Sequence, residues 1–289
     1  MIVGLSWQQG PLGATIGHFL TAQPLPQRLL FAEPLRRRMR VKFAGEWLAD
    51  SEDVVLLHEP ARYPVAYFPL AAIRPGVLVS ENRRTQHQDL GETNWFSVNV
   101  GGKSANHAAW QHTALPGYAS PLQGRVAFAW RAMDAFYEED ERIVGHAADA
   151  YHRIDIRQTS RHLVVKDGDR VIADTKRPLV LFESGFAPRW YVPREDIAAN
   201  ALTPVEGQTF CPYKGLASYY NIGDRAKAAW SYPQAWPEVA RVSNYVSFEA
   251  DKIDLFLDGK KLALAPGQSV LPHGIDRGLD PDEILSRSV

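Results

Sequence analysis

The 289 residues contain one cysteine, Cys211. A single thiol excludes an intrachain disulfide and any zinc site built on several cysteines, and it fits a reducing compartment such as the cytoplasm. Excess charge is missing as well. With 32 Lys+Arg against 33 Asp+Glu the net charge is −1, so no global field draws nucleic acid or a membrane surface to the chain. No apolar run approaches the roughly 18 residues of a spanning helix. Met1 to Ala22 lacks a basic n-region, and Gly4, Gly10, Pro11 and Gly13 interrupt its apolar residues, so it reads as a poor signal peptide. The expectation is a soluble, cytoplasmic protein with neither nucleic acid nor membrane as a partner. The usual catalytic signatures are absent: no G-x-G-x-x-G follows a strand pattern, and there is no H-E-x-x-H or G-x-S-x-G. Gly101-Gly102-Lys103-Ser104 matches the end of a phosphate-cradling loop, but Ser97 stands where that loop needs glycine. His58, His87, His107 and His112 all lie in the first half, at spacings that fit no usual ligand set, so no metal is expected. Nothing in the chain names a cofactor.

What is present in quantity is apolar surface: 45% of residues are hydrophobic and eight are tryptophan, enough for one large or two ordinary domains. An internal repeat decides for two. Asp50 and Asp174, Leu57 and Leu181, Glu59 and Glu183, Tyr67 and Tyr191, Pro69 and Pro193, Ile73 and Ile197, Thr85 and Thr209, and Gly91 and Gly215 each stand 124 apart. The offset then falls to 120: Ala108-Ala109-Trp110 matches Ala228-Ala229-Trp230, Val126 and Phe128 match Val246 and Phe248, and Asp134 and Phe136 match Asp254 and Phe256. The reading is an irregular N-terminal arm (1–35), a first domain (36–145), a connector (146–153), a second domain (154–262) and a tail (263–289). The two domains are expected to pack on each other as an intrachain pseudo-dimer.

Each copy reads as mostly strand. Asp167-Gly168 marks a hairpin between Val164 and Ile172, Leu179 to Phe182 and Arg189 to Val192 are β runs, and Val246 to Leu257 alternates up to a turn at Asp258-Gly259. Helix is expected only in short pieces: Pro193 to Ala199, Arg225 to Trp230 and Lys103 to Trp110. Arg36 to Phe43 alternates basic with apolar residues, as either a phosphate-binding face or an edge strand guarded by charge. The fold class is therefore mainly β, two tandem antiparallel-sheet domains.

The most distinctive stretch is Thr209-Phe210-Cys211-Pro212-Tyr213-Lys214-Gly215. Pro212 fixes its own φ and biases Cys211 towards extended backbone, Gly215 permits a φ its neighbours resist, and Ala217 to Ile222 alternates as a strand. A tight corner thus presents a thiol, a phenol and an amine. The plainer reading makes Cys211 a small hydrophobe, Lys214 a solvated turn residue and the tyrosines core. If the corner binds an anionic ligand, replacing Lys214 by Met should change stability little while affinity for that ligand falls.

These residues, with Ala228-Ala229-Trp230-Ser231-Tyr232-Pro233, Asp174 and Tyr191-x-Pro193-Arg194-Glu195-Asp196, resemble the domain of unknown function family 427. The resemblance covers both copies. It implies a compact, coiled antiparallel sheet similar to the β-tent fold, and the family is sometimes labelled nucleotidyltransferase-like. The paired cysteines that hold zinc in β-tent relatives are missing here. In the first copy His87, Gln88, Asp89 and Leu90 replace Cys211, Pro212, Tyr213 and Lys214, and Gln111-His112 replaces Ser231-Tyr232, so the second copy is expected to be the working one.

Three functions stay open. The second copy is a small-molecule binding module, with Lys214 holding an anionic group and Thr209, Tyr213, Tyr219, Trp230, Tyr232, Tyr191 and Glu183 around an apolar cleft. Alternatively it is an enzyme, nucleotidyltransferase-like or thiol-dependent, using Cys211 as nucleophile and Lys214 to lower its pKa. In the third, the tandem is an interaction scaffold. On the binding reading, Cys211, Tyr213 and Lys214 lie at the mouth of a concave pocket.

Overall fold

A computed structural model describes residues 20, 22–23, 26, 28–59, 63–147, 149–184 and 186–263. Most of the expected arm and all but the first residue of the expected tail lie outside the described residues. The chain divides into two compact units between Asp149 and Ala150.

The first unit contains β1 (Phe31–Pro34), β2 (Met39–Phe43), β3 (Glu46–Ser51), β4 (Val55–His58), β5 (Val65–Pro69), β6 (Leu78–His87), β7 (Gly91–Val100), β8 (Lys103–His112), β9 (Arg125–Phe128), β10 (Ala135–Glu138) and β11 (Glu141–Ile143). They form a seven-stranded sheet, β1-β4-β5-β9-β8-β7-β6, and a four-stranded sheet, β11-β10-β2-β3. The second unit repeats the plan with β12 (Ile154–Gln158), β13 (Leu163–Asp167), β14 (Arg170–Thr175), β15 (Leu179–Glu183), β16 (Arg189–Pro193), β17 (Thr203–Cys211), β18 (Gly215–Ile222), β19 (Arg225–Ser231), β20 (Tyr245–Phe248), β21 (Asp254–Leu257) and β22 (Lys260–Lys261). Its sheets are β12-β15-β16-β20-β19-β18-β17 and β14-β13-β21-β22. The protein is mainly β, in two similar halves. Among the described residues the helical segments are short 3-10 turns such as Arg194–Asp196, and no helix is long and apolar enough to cross a membrane.

The change of offset has a structural address. The β7–β8 hairpin turns at Gly101-Gly102 and its counterpart β18–β19 at Gly223-Asp224, 122 residues later. Half of the four-residue shortening therefore falls in each strand. Removing residues from one strand alone would slip the register and turn its side chains to the wrong face.

Alternation then sorts each large sheet into two faces. In the second unit one face packs Val192, Val246 and Phe248 against Leu163, Val165 and Ile172 of the small sheet. In the first unit Phe68, Val126 and Ala109 meet Met39, Val41 and Leu48 in the same way. Each wholly buried Val, Leu or Phe stabilises its unit by about 1.5–3 kcal/mol.

Several expectations need correction. Lys103 to Trp110 and Arg225 to Trp230 are strands, not helices: Trp95 sits against Trp110 and Tyr219 against Trp230, and cross-strand aromatic packing outweighs the helix propensity of paired alanines. The run from Val246 to Leu257 is two strands in different sheets. The basic strand β2 is an inner strand, so charge does not guard an edge there. Arg38 forks onto Asp50, and the Arg40 guanidinium lies 4.5 Å from the centre of the Trp47 ring, so the cations of this strand are spent on its own sheet. Residues 31–34, assigned by composition to the arm, pair with β4 as an edge strand. Lys214 is 6% exposed and is no solvated turn residue.

Candidate functional site

The second face of the large sheet carries the candidate residues. Register sets Tyr191 beside Ser247, Ser247 beside Trp230 and Trp230 beside Tyr219, one aromatic row across four strands. Cys211, Ala217, Tyr219, Trp230 and Tyr232 pack as one buried cluster, with Tyr213 against it. The Trp230 indole donates to the Tyr191 hydroxyl, and Thr209 Oγ1 lies 2.6 Å from the Tyr219 hydroxyl.

The corner from Cys211 to Gly215 is fixed by backbone bonds. The Lys214 N–H donates to the Cys211 carbonyl (3.2 Å), the Trp236 N–H to the Lys214 carbonyl (3.1 Å) and the Trp236 indole to the Pro212 carbonyl (3.1 Å). Gly215 has φ +97°, and a Cβ there would stand 2.9 Å from the Gln234 carbonyl oxygen. Only glycine suits such a position.

From this corner the Lys214 ammonium reaches Glu183 Oε1 at 2.5 Å. Glu183 ends β15, the second strand of the seven, whereas the corner joins the sixth and seventh. The sheet is thus curled until strands four places apart meet through side chains, and the aromatic row lies on the inside of the curl. His152 adds a second bond to Glu183 (2.9 Å) and stacks on Tyr213, ring centres 3.7 Å apart.

Burial works against every charge here, and partners decide the outcome. For Glu183 desolvation is the largest influence, yet Lys214 and His152 overcome it and hold the carboxyl down at about 2. Burial opposes the Lys214 charge too, but Cys211 and Glu183 more than offset it and raise its pKa. Burial pushes the Cys211 thiol up in spite of Lys214, pushes Tyr191 up to about 12 and raises Tyr232 well above its ordinary value. The Tyr232 hydroxyl, on a residue with 0% exposure, has no hydrogen-bond partner among the described residues.

Sequence reasoning missed His152, Arg189 and Glu249. Arg189 reaches the same face and feels Glu249, Tyr191, Glu183 and Tyr232. Glu249 is 1% exposed, and when it carries its proton it hydrogen-bonds the Asp251 side chain. Burial first, and the nearby Asp251 next, push its carboxyl up to about 8. The available signal lay in mismatches between the copies: Val65 and Ala129 occupy the places of Arg189 and Glu249, and Arg28 that of His152.

In the first unit the same place holds a different network. Arg28 bonds Asp89 (2.6 Å) and Glu59 (3.2 Å), and His87 Nε2 bonds Glu59 (2.8 Å). His87 Nδ1 accepts from the N–H groups of Asp89 and Leu90, which puts its proton on Nε2. His112 lies between the Tyr67 hydroxyl and Thr93 Oγ1, both at 2.9 Å, and Trp110 donates to Tyr67. Burial, with His87 adding to it, lowers His112 to about 4. Among the described residues no group of three His, Cys, Asp or Glu side chains is placed to hold a metal ion.

A search of curated proteins returns no match. A family model described as Domain of unknown function (DUF427) matches residues 31–139 and again 155–259. These two spans each take in one seven-stranded sheet with its corner and curl, and the chain therefore belongs to the DUF427 family, with one family domain in each half.

Proposed function

We propose that the inner face of the second domain's curled sheet binds a small anionic or aromatic molecule. Trp230, Tyr191 and Tyr219 form its walls, Thr209 and Tyr213 flank it, and Lys214, Glu183 and Tyr232 supply polar contacts. One observation carries this reading: the Tyr232 hydroxyl is wholly buried and has no hydrogen-bond partner among the described residues. An orphan of this kind costs about 1–3 kcal/mol, and folded domains keep few of them without a ligand, water or function to explain each. Binding is preferred to thiol catalysis because burial raises the Cys211 thiol, whereas a nucleophile needs a lowered one.

Mass spectrometry under native and denaturing conditions tests the reading on protein purified without denaturant. Wild-type protein is expected to carry a small molecule that stays bound under native conditions and is released on denaturation. The Tyr232→Phe variant should lose that molecule and remain folded, because removing an unpartnered hydroxyl does not weaken the apo fold. A variant that retains the same mass, or a wild-type protein that retains none, would overturn the proposal.

A further inference from the structure

In the first domain part of the matching sheet face is open. Trp95 and Trp110, ring centres 5.5 Å apart, are half-buried, where their counterparts Tyr219 and Trp230 are 4% and 2% exposed. The difference follows from the sequence. Val205, Cys211 and Tyr213 pack onto the aromatic row of the second domain, and Glu81, His87 and Asp89 stand at those places in the first. Both indoles are held still by their N–H groups, Trp95 on Thr85 Oγ1 (2.9 Å) and Trp110 on the Tyr67 hydroxyl (3.1 Å).

Three polar side chains found only in this copy flank Trp95. The Arg83 guanidinium lies 4.8 Å from the centre of its ring, at a place that Gly207 takes in the second copy. Arg83 is exposed, and its N–H fork makes no hydrogen bond or ion pair among the described residues. His107 stands at 80° to the Trp95 ring, centres 6.5 Å apart, where β8 bulges and its φ is +53°. Glu81 accepts from the His107 backbone N–H (2.7 Å) and bonds its Nδ1, and Ser97 Oγ donates to Glu81 (2.6 Å). The second copy shows what such a bulge requires by itself: Lys227 has φ +48°, and its N–H donates to Asn221 Oδ1 (2.8 Å). An amide oxygen therefore suffices for the backbone, and the carboxylate adds the orientation of an imidazole. Ser97 above all holds the Glu81 carboxyl below its ordinary range, so the shared proton belongs to His107 Nδ1. Nε2 is then an acceptor, on a half-exposed side chain.

We propose that this corner of the first domain is a second binding site, for a planar aromatic molecule carrying an oxyanion and a hydroxyl. Its ring lies on Trp95 beside Trp110, its oxyanion takes the Arg83 fork, and its hydroxyl donates to His107 Nε2. The site stands apart from the second domain and does not depend on what binds there. Each part of the ligand answers to one side chain. A flat ring stacks on an indole face. A guanidinium with an unbonded fork takes an oxyanion in two parallel bonds, and moving it off the ring breaks only a contact that is weak at an exposed site. A fixed imidazole acceptor selects a donor.

The experiment titrates the full chain calorimetrically at pH 7 with 6-hydroxy-2-naphthoate, 2-naphthoate, 2-naphthamide and cyclohexanecarboxylate. 2-Naphthoate should bind about tenfold more tightly than the amide, which lacks the charge, and than the cyclohexane acid, which lacks the flat ring. The hydroxyl should add about threefold. Arg83→Gln, an exposed change, should bring 2-naphthoate down to the level of the amide. His107→Asn, which tolerates the same positive φ, should remove the advantage of the hydroxyl. Hydrogen exchange with 6-hydroxy-2-naphthoate bound should slow over 78–112. Binding of none of the four, equal affinity for all, either variant matching wild type, or slowed exchange over 203–232 instead overturns the proposal.

Discussion

Replacing Lys214 by Met keeps most of the side-chain stem and removes the charge. For a solvated turn lysine the cost would be within about 0.5 kcal/mol. Lys214 is instead 6% exposed, with its ammonium 2.5 Å from Glu183. The variant leaves Glu183 buried with His152 as its bonded partner among the described residues. Removing one partner of a buried pair costs about 3–5 kcal/mol. The carboxyl held at about 2 against an ordinary 4.5, by Lys214 and His152 together against burial, represents about 3 kcal/mol at 1.36 kcal/mol per pKa unit. A loss of about 3 kcal/mol is therefore expected. The pH dependence follows from the sign of the shift: a depressed carboxyl pKa gives stability that is present above about pH 4.5 and is lost as pH falls towards 2. Urea unfolding, followed by tryptophan fluorescence at pH 7 and pH 3, should show a large deficit for Lys214→Met at pH 7 and a smaller one at pH 3. Adding Glu183→Gln should recover part of the loss, since no charge is then stranded. A deficit below about 0.5 kcal/mol at pH 7, or a double variant no better than the single, would refute the reasoning.

Two further outcomes can be measured in the same assay. Gly215→Ala should cost about 2 kcal/mol or more, because the added Cβ meets the Gln234 carbonyl oxygen at 2.9 Å on top of φ +97°. Gly207→Ala, with φ +85° and nothing within 4 Å, pays only the backbone penalty of about 1 kcal/mol, and equal losses would show that the close approach is irrelevant. His112 is held at about 4, below its ordinary 6.5, so as pH drops below 6.5 the unfolded chain takes up a proton that the fold refuses. Stability should decline by up to about 3 kcal/mol towards pH 4, and His112→Gln should flatten that decline; an unchanged slope in the variant would count against it.

The repeat made most of the fold legible, because both copies must keep the residues that fill the space between the sheets. Gly91 and Gly215 match for a reason visible only in three dimensions: each has positive φ, and backbone crowds the place of its missing Cβ. Reading failed where local propensity and packing disagree. Ala108-Ala109 and Ala228-Ala229 suggest helix, yet they are buried in the core between the sheets of their units, where strand pairing and packing outweigh propensity. The corner motif led to Glu183, Tyr191, Trp230 and Tyr232, which all reach its face. Arg189, Glu249 and His152 escaped because a search for matches passes over positions where the copies differ, and at a site confined to one copy the differences carry the chemistry. That Lys214 is buried could not be read either, since its partner lies 31 residues earlier on a strand four places away.

The ion pair that joins β15 to the corner has a mechanical meaning. Backbone ladders resist separation along their whole length, but a rolled sheet held across its curl by side chains, Lys214 and His152 on Glu183 and His152 on Tyr213, can unroll without breaking any strand pairing. The bonds on Glu183 together are worth about 3 kcal/mol by the pKa argument above, whereas unfolding a domain takes 5–15 kcal/mol. An unrolled state would lie below global unfolding in free energy, and it would admit a solute to a face whose tyrosines and tryptophan are closed to solvent at rest. Opening would therefore be governed by how often Lys214 and His152 let go of Glu183 together, and acid that protonates Glu183 would speed it.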